Sequence, residues 1–328
     1  MGIGIDTDIP FGLLGVGFPS NEAGVASGVI KAYPNLPVQM ASEGFTKTVA
    51  FSMWLNDLEA STGSLLFGGV DSGKYQGPLT RLQLYPTKDK TVDEFAVALT
   101  SVTAVSKSGT DKLGSTSFPA AVVLDAGATL SFLPSDLVNQ MYKEVGATVD
   151  STTGKAAVPC SYTNAGGYFA FGFGGAGGAV VNVSMSELVM GIVGNYTSGP
   201  NAGQTACRFG VVAAAEGQTF ILGDTFLRSA YVVYDLINSE VALAQTKPDS
   251  TDSNISAFAS LSATIPGATL APNEANIAQG VVTAAPTSYA AAASFTASAS
   301  AKSGASRSAG VAMGALLSVG LGVVSFLV

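Results

Sequence analysis

Along much of the 328-residue chain, apolar and polar positions alternate with the period of two expected of half-buried β-strands. Residues 49–55 and 63–70 form two such runs around the polar turn at 56–62, which predicts a hairpin. From about residue 79 to 105 the alternation continues through Leu82, Leu84, Phe95, Val97, Leu99 and Val102, the signature of antiparallel strands. Val122, Val123 and Leu124 make a short unbroken apolar run. It predicts a buried strand, and Ala126-Gly127-Ala128 can turn tightly after it. Residues 11–19, apolar and punctuated by Gly12, Gly15 and Gly17, predict a central strand and turn. Residues 220–228 read as a second strand-to-turn and 230–236 as a further strand. The best helix candidate is 136–145, with Pro134-Ser135 before it and Gly146 after it as start and stop signals. The Gly-rich stretch 172–178 reads as a β-turn region. Its Gly-x-Gly-x-x-Gly echoes have no βαβ unit around them and no Gly-Lys-Ser/Thr, so a phosphate loop is set aside.

Composition strengthens the β reading: 39 glycines and only 12% charged residues suit a turn-rich sheet protein better than a helical one. The length allows two ordinary domains and a sizeable core. Fifteen basic residues stand against 23 acidic ones, without a Lys/Arg cluster, which argues against nucleic acid as a partner. The chain has no His. That removes Ser-His and Cys-His nucleophile pairs and His-type metal sites, leaving carboxylates as the main acid-base groups, with no metal and no cofactor expected. Cys160 and Cys207 are the two cysteines and form no close pair, which argues against zinc.

Asp125 is the carboxylate this pattern singles out. At the end of a buried strand it is desolvated unless backbone N–H groups compensate it, so its pKa is movable, as acid-base work requires. An Asp-x-Gly after a strand serves equally as a turn cap. From the residues alone both readings stand.

The ends of the chain carry other signals. Residues 1–6 lack the basic and apolar regions of a secretory signal peptide. A strand at 11–19 needs neighbours, so the chain reads as starting inside a domain. Residues 248–308 turn to Ala, Ser and Thr with scattered Pro, as in a flexible, O-glycosylated stalk. Residues 309–328 are small and apolar to the end, preceded by small residues and by Lys302 and Arg307, the arrangement of a GPI-attachment signal. A permanent transmembrane helix is the competing reading, disfavoured because no basic residues follow. With sequons at Asn182, Asn195 and Asn254, the tail points to the secretory route and hence to a Cys160–Cys207 disulfide.

The motifs together resemble those of pepsin-like aspartic peptidases. The stretch Val122-Val123-Leu124-Asp125-Ala126-Gly127-Ala128, continued by Leu133-Pro134, is similar to the C-terminal-lobe active-site motif. Phe11 to Pro19 is similar to a segment late in the N-terminal lobe, and Leu65 to Asp71 to the inter-lobe segment. Ile221-Leu222-Gly223-Asp224-Thr225-Phe226 with Tyr231 to Asp235 matches the hallmark near the end of the C-terminal lobe, and the two cysteines fall where that lobe has its disulfide. The resemblance runs from about residue 9 to 246 in the family's order. With the stalk and tail it extends to the GPI-anchored, yapsin-type fungal members.

The resemblance implies an all-β, pepsin-like acid protease fold with a complete C-terminal lobe and the end of an N-terminal one. The expected layout is 1–85 for the N-terminal-lobe remnant and inter-lobe segment, 86–247 for the catalytic lobe, 248–308 for the stalk and 309–328 for the tail. It implies an aspartic-type endopeptidase acting on peptides or proteins at the outer face of the plasma membrane or the cell wall. Two Asp residues share a proton and activate a water, with Asp125 as the C-terminal-lobe member and Gly127, Ala128 and Thr129 along the substrate. Three departures qualify this. No Asp-Thr-Gly-Ser precedes residue 11, and Asp6-Thr7-Asp8 is not that motif, so a missing N-terminal lobe or a homodimer is needed to complete the dyad. Ala126 and Ala128 replace residues that carry hydroxyls in most of the family. These departures define the alternative, a catalytically inactive, cell-wall-anchored binding or structural protein. Pairing of Asp125 with Asp224 inside one chain ranks lower, since the family's Asp at the latter place is structural.

Overall fold

The computed structural model describes residues 13–25, 27–86, 91–164 and 166–275, and it is all-β in its framework. A six-stranded sheet runs in the order Ser64–Phe67, Ala50–Trp54, Ala230–Asp235, Glu240–Thr246, Tyr75–Gln83, Ala268–Leu270. Its strands come from both sides of the boundary expected at 85/86, because Ala50–Trp54 pairs antiparallel with Ala230–Asp235, Phe51 opposite Tyr234. The hairpin expected at 49–70 is present, with Phe51 opposite Phe67.

The second sheet holds the strands that matter for the site. Its path is Val180–Ser184, Tyr168–Phe173, Ala96–Ser106, Ala120–Leu124, Phe220–Leu222, Ser131–Leu133, Val211–Ala213, with Gly109–Leu113 also paired to Ala96–Ser106. The Gly-rich stretch is the turn between Tyr168–Phe173 and Val180–Ser184. A smaller sheet of Val189–Asn195, Thr205–Phe209, Ala156–Pro159 and Thr148–Val149 is stapled by the Cys160–Cys207 disulfide. The expected helix is observed as Ser135–Val145. It buries Leu137, Val138, Met141 and Val145 on one face, and Gly146 ends it at φ +58°, a left-handed conformation that glycine adopts without Cβ strain. One continuous core joins the sheets, including Phe51, Phe95, Val122, Leu124, Met141, Phe171, Phe226 and Tyr234.

Two expectations are corrected. The apolar run at 11–19 forms no strand over its described part, 13–19. Val16 is buried, but Leu13 and Leu14 are 65% and 61% exposed, and among the described residues no strand pairs with them. The stalk expected from residue 248 does not begin there. Residues up to 275 pack on the lobe: Ile255–Ala257 pairs with Gly69–Asp71, and Ala268–Leu270 lies parallel to Tyr75–Gln83. Phe258, Ile265 and Ala271 are buried beneath this strap. The Asp71 carboxylate accepts hydrogen bonds from the Asn254 amide and the Ser253 hydroxyl, and Glu274 accepts one from the Gln83 amide. The remainder of the expected stalk, the apolar tail and Asp6-Thr7-Asp8 lie outside the described residues.

Candidate active site

Asp125 takes its position from two strands that flank its own. Ala120–Leu124 pairs antiparallel with Ala96–Ser106 on one side and parallel with Phe220–Leu222 on the other. Val122, Val123 and Leu124 are buried, so the strand is fixed by packing on both faces, and its ladder continues one residue further as the Asp125 amide donates to the Leu222 carbonyl at 3.1 Å. The chain then turns back over its own carboxylate. Gly127 N–H donates to Asp125 Oδ1 at 2.7 Å, and Ala128 N–H donates to the Asp125 carbonyl at 3.2 Å.

The return strand, Ser131–Leu133, does not lie beside Ala120–Leu124, because Phe220–Leu222 is inserted between them. Two loops therefore cross at this point. Gly223 sits in the crossing, where a Cβ would lie 2.2 Å from the Ala128 carbonyl oxygen and 2.5 Å from that of Leu130, so no larger residue fits without backbone movement. The crossing is sealed by backbone bonds from Asp224 N–H to the Ala128 carbonyl (2.8 Å) and from Thr225 N–H to the Thr129 carbonyl (3.3 Å). Beneath it the hydroxyls of Ser131 and Thr225 lie 3.0 Å apart, Thr225 also donates to the Gly210 carbonyl, and Gly223 N–H donates to Ser131 Oγ. The sequence pattern assigns no role to Ser131 or Gly210, and gives Thr225 only as part of the hallmark motif. Their only signal was small or hydroxyl residues flanking apolar runs, and their partners are up to 94 residues away.

Charge around Asp125 is one-sided. The residue is only 2% exposed, and burial raises its pKa above the ordinary aspartate value, with the Gly127 amide offsetting part of the rise. Glu94 is raised by burial, by Asp93 and by Asp125. Asp224 is pushed up to about 7 by burial, an effect opposed by Arg228 and reinforced by Asp125. Arg228 is itself committed to Glu187, Nε to Oε2 at 2.9 Å. Asp125 has the Gly127 amide as its hydrogen-bond partner among the described residues, and no hydrogen bond joins it to Asp224.

Gly127 and Thr129 are exposed beside the carboxylate and Ala126 and Ala128 half-buried, so the turn presents backbone and small side chains outward. Next to it lies a cavity of about 320 Å³ lined by Leu13, Leu14, Trp54, Leu65, Ala126 and Gly127. The sequon residues Asn182, Asn195 and Asn254 are exposed, and the Asn254 side-chain amide donates to Ser72 Oγ.

A carboxylate bent under a glycine turn, at the crossing of two loops in a β lobe, defines the class: this is a lobe of the acid-protease type. The model of the eukaryotic aspartyl protease family matches residues 7–246, and the chain belongs to that family. Over 273 residues, 83% of the chain, it is 41% identical to a probable aspartic-type endopeptidase opsB of Aspergillus oryzae, covering 54% of that protein. It is 32% identical to the aspartic proteinase yapsin-3 of Saccharomyces cerevisiae over 83% of the chain and 52% of the relative. The chain thus spans about half the length of these curated relatives. Among solved structures, the aspartic proteinase from Irpex lacteus shares the fold, with a TM-score of 0.53 and 24% identity over 76% of this chain and 72% of that one.

Proposed function

We propose that this chain supplies one carboxyl, Asp125, of the two that hydrolyse a peptide bond in an aspartic-type endopeptidase. The observation that carries the reading is the Asp125 carboxylate itself, buried at a strand end, held by the Gly127 amide and raised in pKa, beside a turn whose Gly127 and Thr129 face outward. Burial makes such a group a more ready proton acceptor than an exposed aspartate, as acid-base work requires. An ionised carboxylate takes a proton from water while the water oxygen attacks the peptide carbonyl carbon. A protonated partner carboxyl hydrogen-bonds the carbonyl oxygen, and the proton passes to the amide nitrogen as the C–N bond breaks.

The partner carboxyl comes from a second lobe, contained in the half of the relatives' length that this chain does not span, or from a second copy of the chain. Asp224 ranks lower as that partner, since no hydrogen bond joins its carboxyl to Asp125 among the described residues. Gly127, Ala128 and Thr129 line the peptide, residues 1–85 and 86–247 divide as lobe remnant and catalytic lobe, and Asn182, Asn195 and Asn254 carry glycans. A GPI anchor on the C-terminal tail holds the protein at the outer face of the plasma membrane or in the cell wall. The second reading, an inactive peptide-binding or structural relative, is favoured by Ala126 and Ala128, neither of which offers a side-chain hydroxyl to a partner loop.

Hydrolysis of a quenched-fluorescent peptide library between pH 3 and 7, by protein released from cells that express the gene, decides between them. Cleavage abolished by Asp125→Asn supports the peptidase, and binding without cleavage supports the inactive relative. Release from the cell surface by a phosphatidylinositol-specific phospholipase tests the anchor.

A further inference from the structure

The hydroxyl of Tyr234 is the feature that the site leaves unexplained. Tyr234 is fully buried in the strand Ala230–Asp235, its ring stacked on Phe51 with centroids 4.7 Å apart and meeting Phe95 edge-on at 4.6 Å. The Phe95 carbonyl in turn accepts from the Leu124 amide, the residue immediately before Asp125. Through Phe95 the tyrosine is therefore linked to the strand end that carries the carboxylate. Its oxygen is buried and has no hydrogen-bond partner among the described residues, a costly state for a phenol in an apolar core. The charges that act on it are those of Asp125 and Asp224, which with burial hold its proton more tightly than usual.

We propose that Tyr234 is a positioning residue for Asp125, its hydroxyl reaching the carboxyl through one bridging water and favouring the ionised form. A water between the phenol and the carboxyls of Asp125 and Asp224 would have three polar partners, within the two to four a buried water needs. Among the described residues the Gly127 amide is the one hydrogen-bond donor to the Asp125 carboxylate. The titratable groups that bear on Asp125 or on the phenol are Glu94, leading into Ala96–Ser106, and Asp224 at the loop crossing, both acids, while Arg228 beyond Asp224 is bound to Glu187. Among the described residues, a neutral phenol would add to the Gly127 amide a second donor for negative charge on Asp125 without introducing a cation. The consequence for catalysis rests on the reading of Asp125 as an acid-base group, but the proton equilibrium does not.

The test is a carbon-13 carboxyl NMR titration of the full chain labelled at aspartate, with the Asp125 signal assigned by its loss in Asp125→Asn. In Tyr234→Phe the Asp125 pKa rises by about one unit, the size expected for loss of one hydrogen bond to the charged form. Replacing Tyr234 by 3-fluorotyrosine, nearly isosteric and a stronger donor, lowers it. A purely structural ring moves neither value. Asp125 titrating at the same pH in the unmodified and fluorinated proteins overturns the proposal, even if Tyr234→Phe fails to fold. The titration is read whether or not the chain cleaves peptides, so failure here is separable from failure of the proposed activity.

Discussion

Away from the site, the lobe holds a second buried acid whose titration sets a measurable limit on stability. Glu144, on the inner side of the helix Ser135–Val145, is 3% exposed and shares a side-chain hydrogen bond with Asp111 of the strand Gly109–Leu113, itself 6% exposed. Glu144 Oε1 has no hydrogen-bond partner among the described residues. Burial first, then the charge and hydrogen bond of Asp111, push Glu144 from 4.5 up to about 7. Its pKa is raised in the folded state, so the native protein binds the proton more tightly than the unfolded chain. The stability this contributes is fully present below about pH 4.5 and is lost as pH rises through about 7. The rise in pKa is worth at most on the order of 3 kcal/mol, less what solvent screening removes. For a lobe of this size that corresponds to about 5–10 °C in Tm.

The perturbation is Glu144→Gln, whose amide can donate to the Asp111 carboxylate at every pH. Thermal unfolding followed by circular dichroism from pH 4 to pH 8 then gives the difference in Tm between variant and parent. Asp224, also raised to about 7, titrates in both proteins and cancels in that difference. The variant gains on the parent by about 5–10 °C across the range. Parallel curves, with a difference constant to within about 2 °C, refute the account of this pair.

Gly223→Ala forces a methyl group to within 2.2 Å of the Ala128 carbonyl oxygen and opens the loop crossing; its urea midpoint falls by an amount equivalent to about 3 kcal/mol or more, with the Asp125 turn losing amide-exchange protection. Phe258→Ala removes the largest buried side chain of the strap, costs about 3–4 kcal/mol, and exposes residues 249–275 to limited proteolysis before the rest of the lobe is cut.

What was legible in the sequence is what depends on neighbours along the chain. Val122 to Gly127 announced a buried strand and a turn because both follow from local residue types, and Ser135–Val145 announced itself by its start and stop residues. The surroundings of Asp125 were not legible. Leu222, Gly223 and Thr225 reach it from about a hundred residues away, and nothing local to either stretch says that a third strand is inserted between the two arms of the turn. The strap was misread for a related reason. Its Ala/Ser/Thr composition resembles a stalk, while its burial depends on Phe258, Ile265 and Ala271, spaced too widely to show any period. The opposite error occurred at Leu13 and Leu14, where an apolar run was read as a strand although among the described residues no strand pairs with it. The one-sided charge around Asp125 also emerged only in three dimensions, since Glu94 and Asp224 are remote from it in sequence.

The central claim is that the Asp125 carboxyl performs acid-base chemistry on a peptide bond. Its most direct test is the pH profile of peptide hydrolysis by the protein purified from cells expressing its complete gene, beside the same protein carrying Asp125→Asn, an isosteric change that keeps a side-chain acceptor for the Gly127 amide and removes the titratable proton. The account predicts cleavage with an acidic optimum that falls by about a hundredfold to ten-thousandfold in the variant, with the native fold retained, the range an acid-base group alone is worth. Cleavage that persists at the parental rate and pH optimum in Asp125→Asn would contradict it.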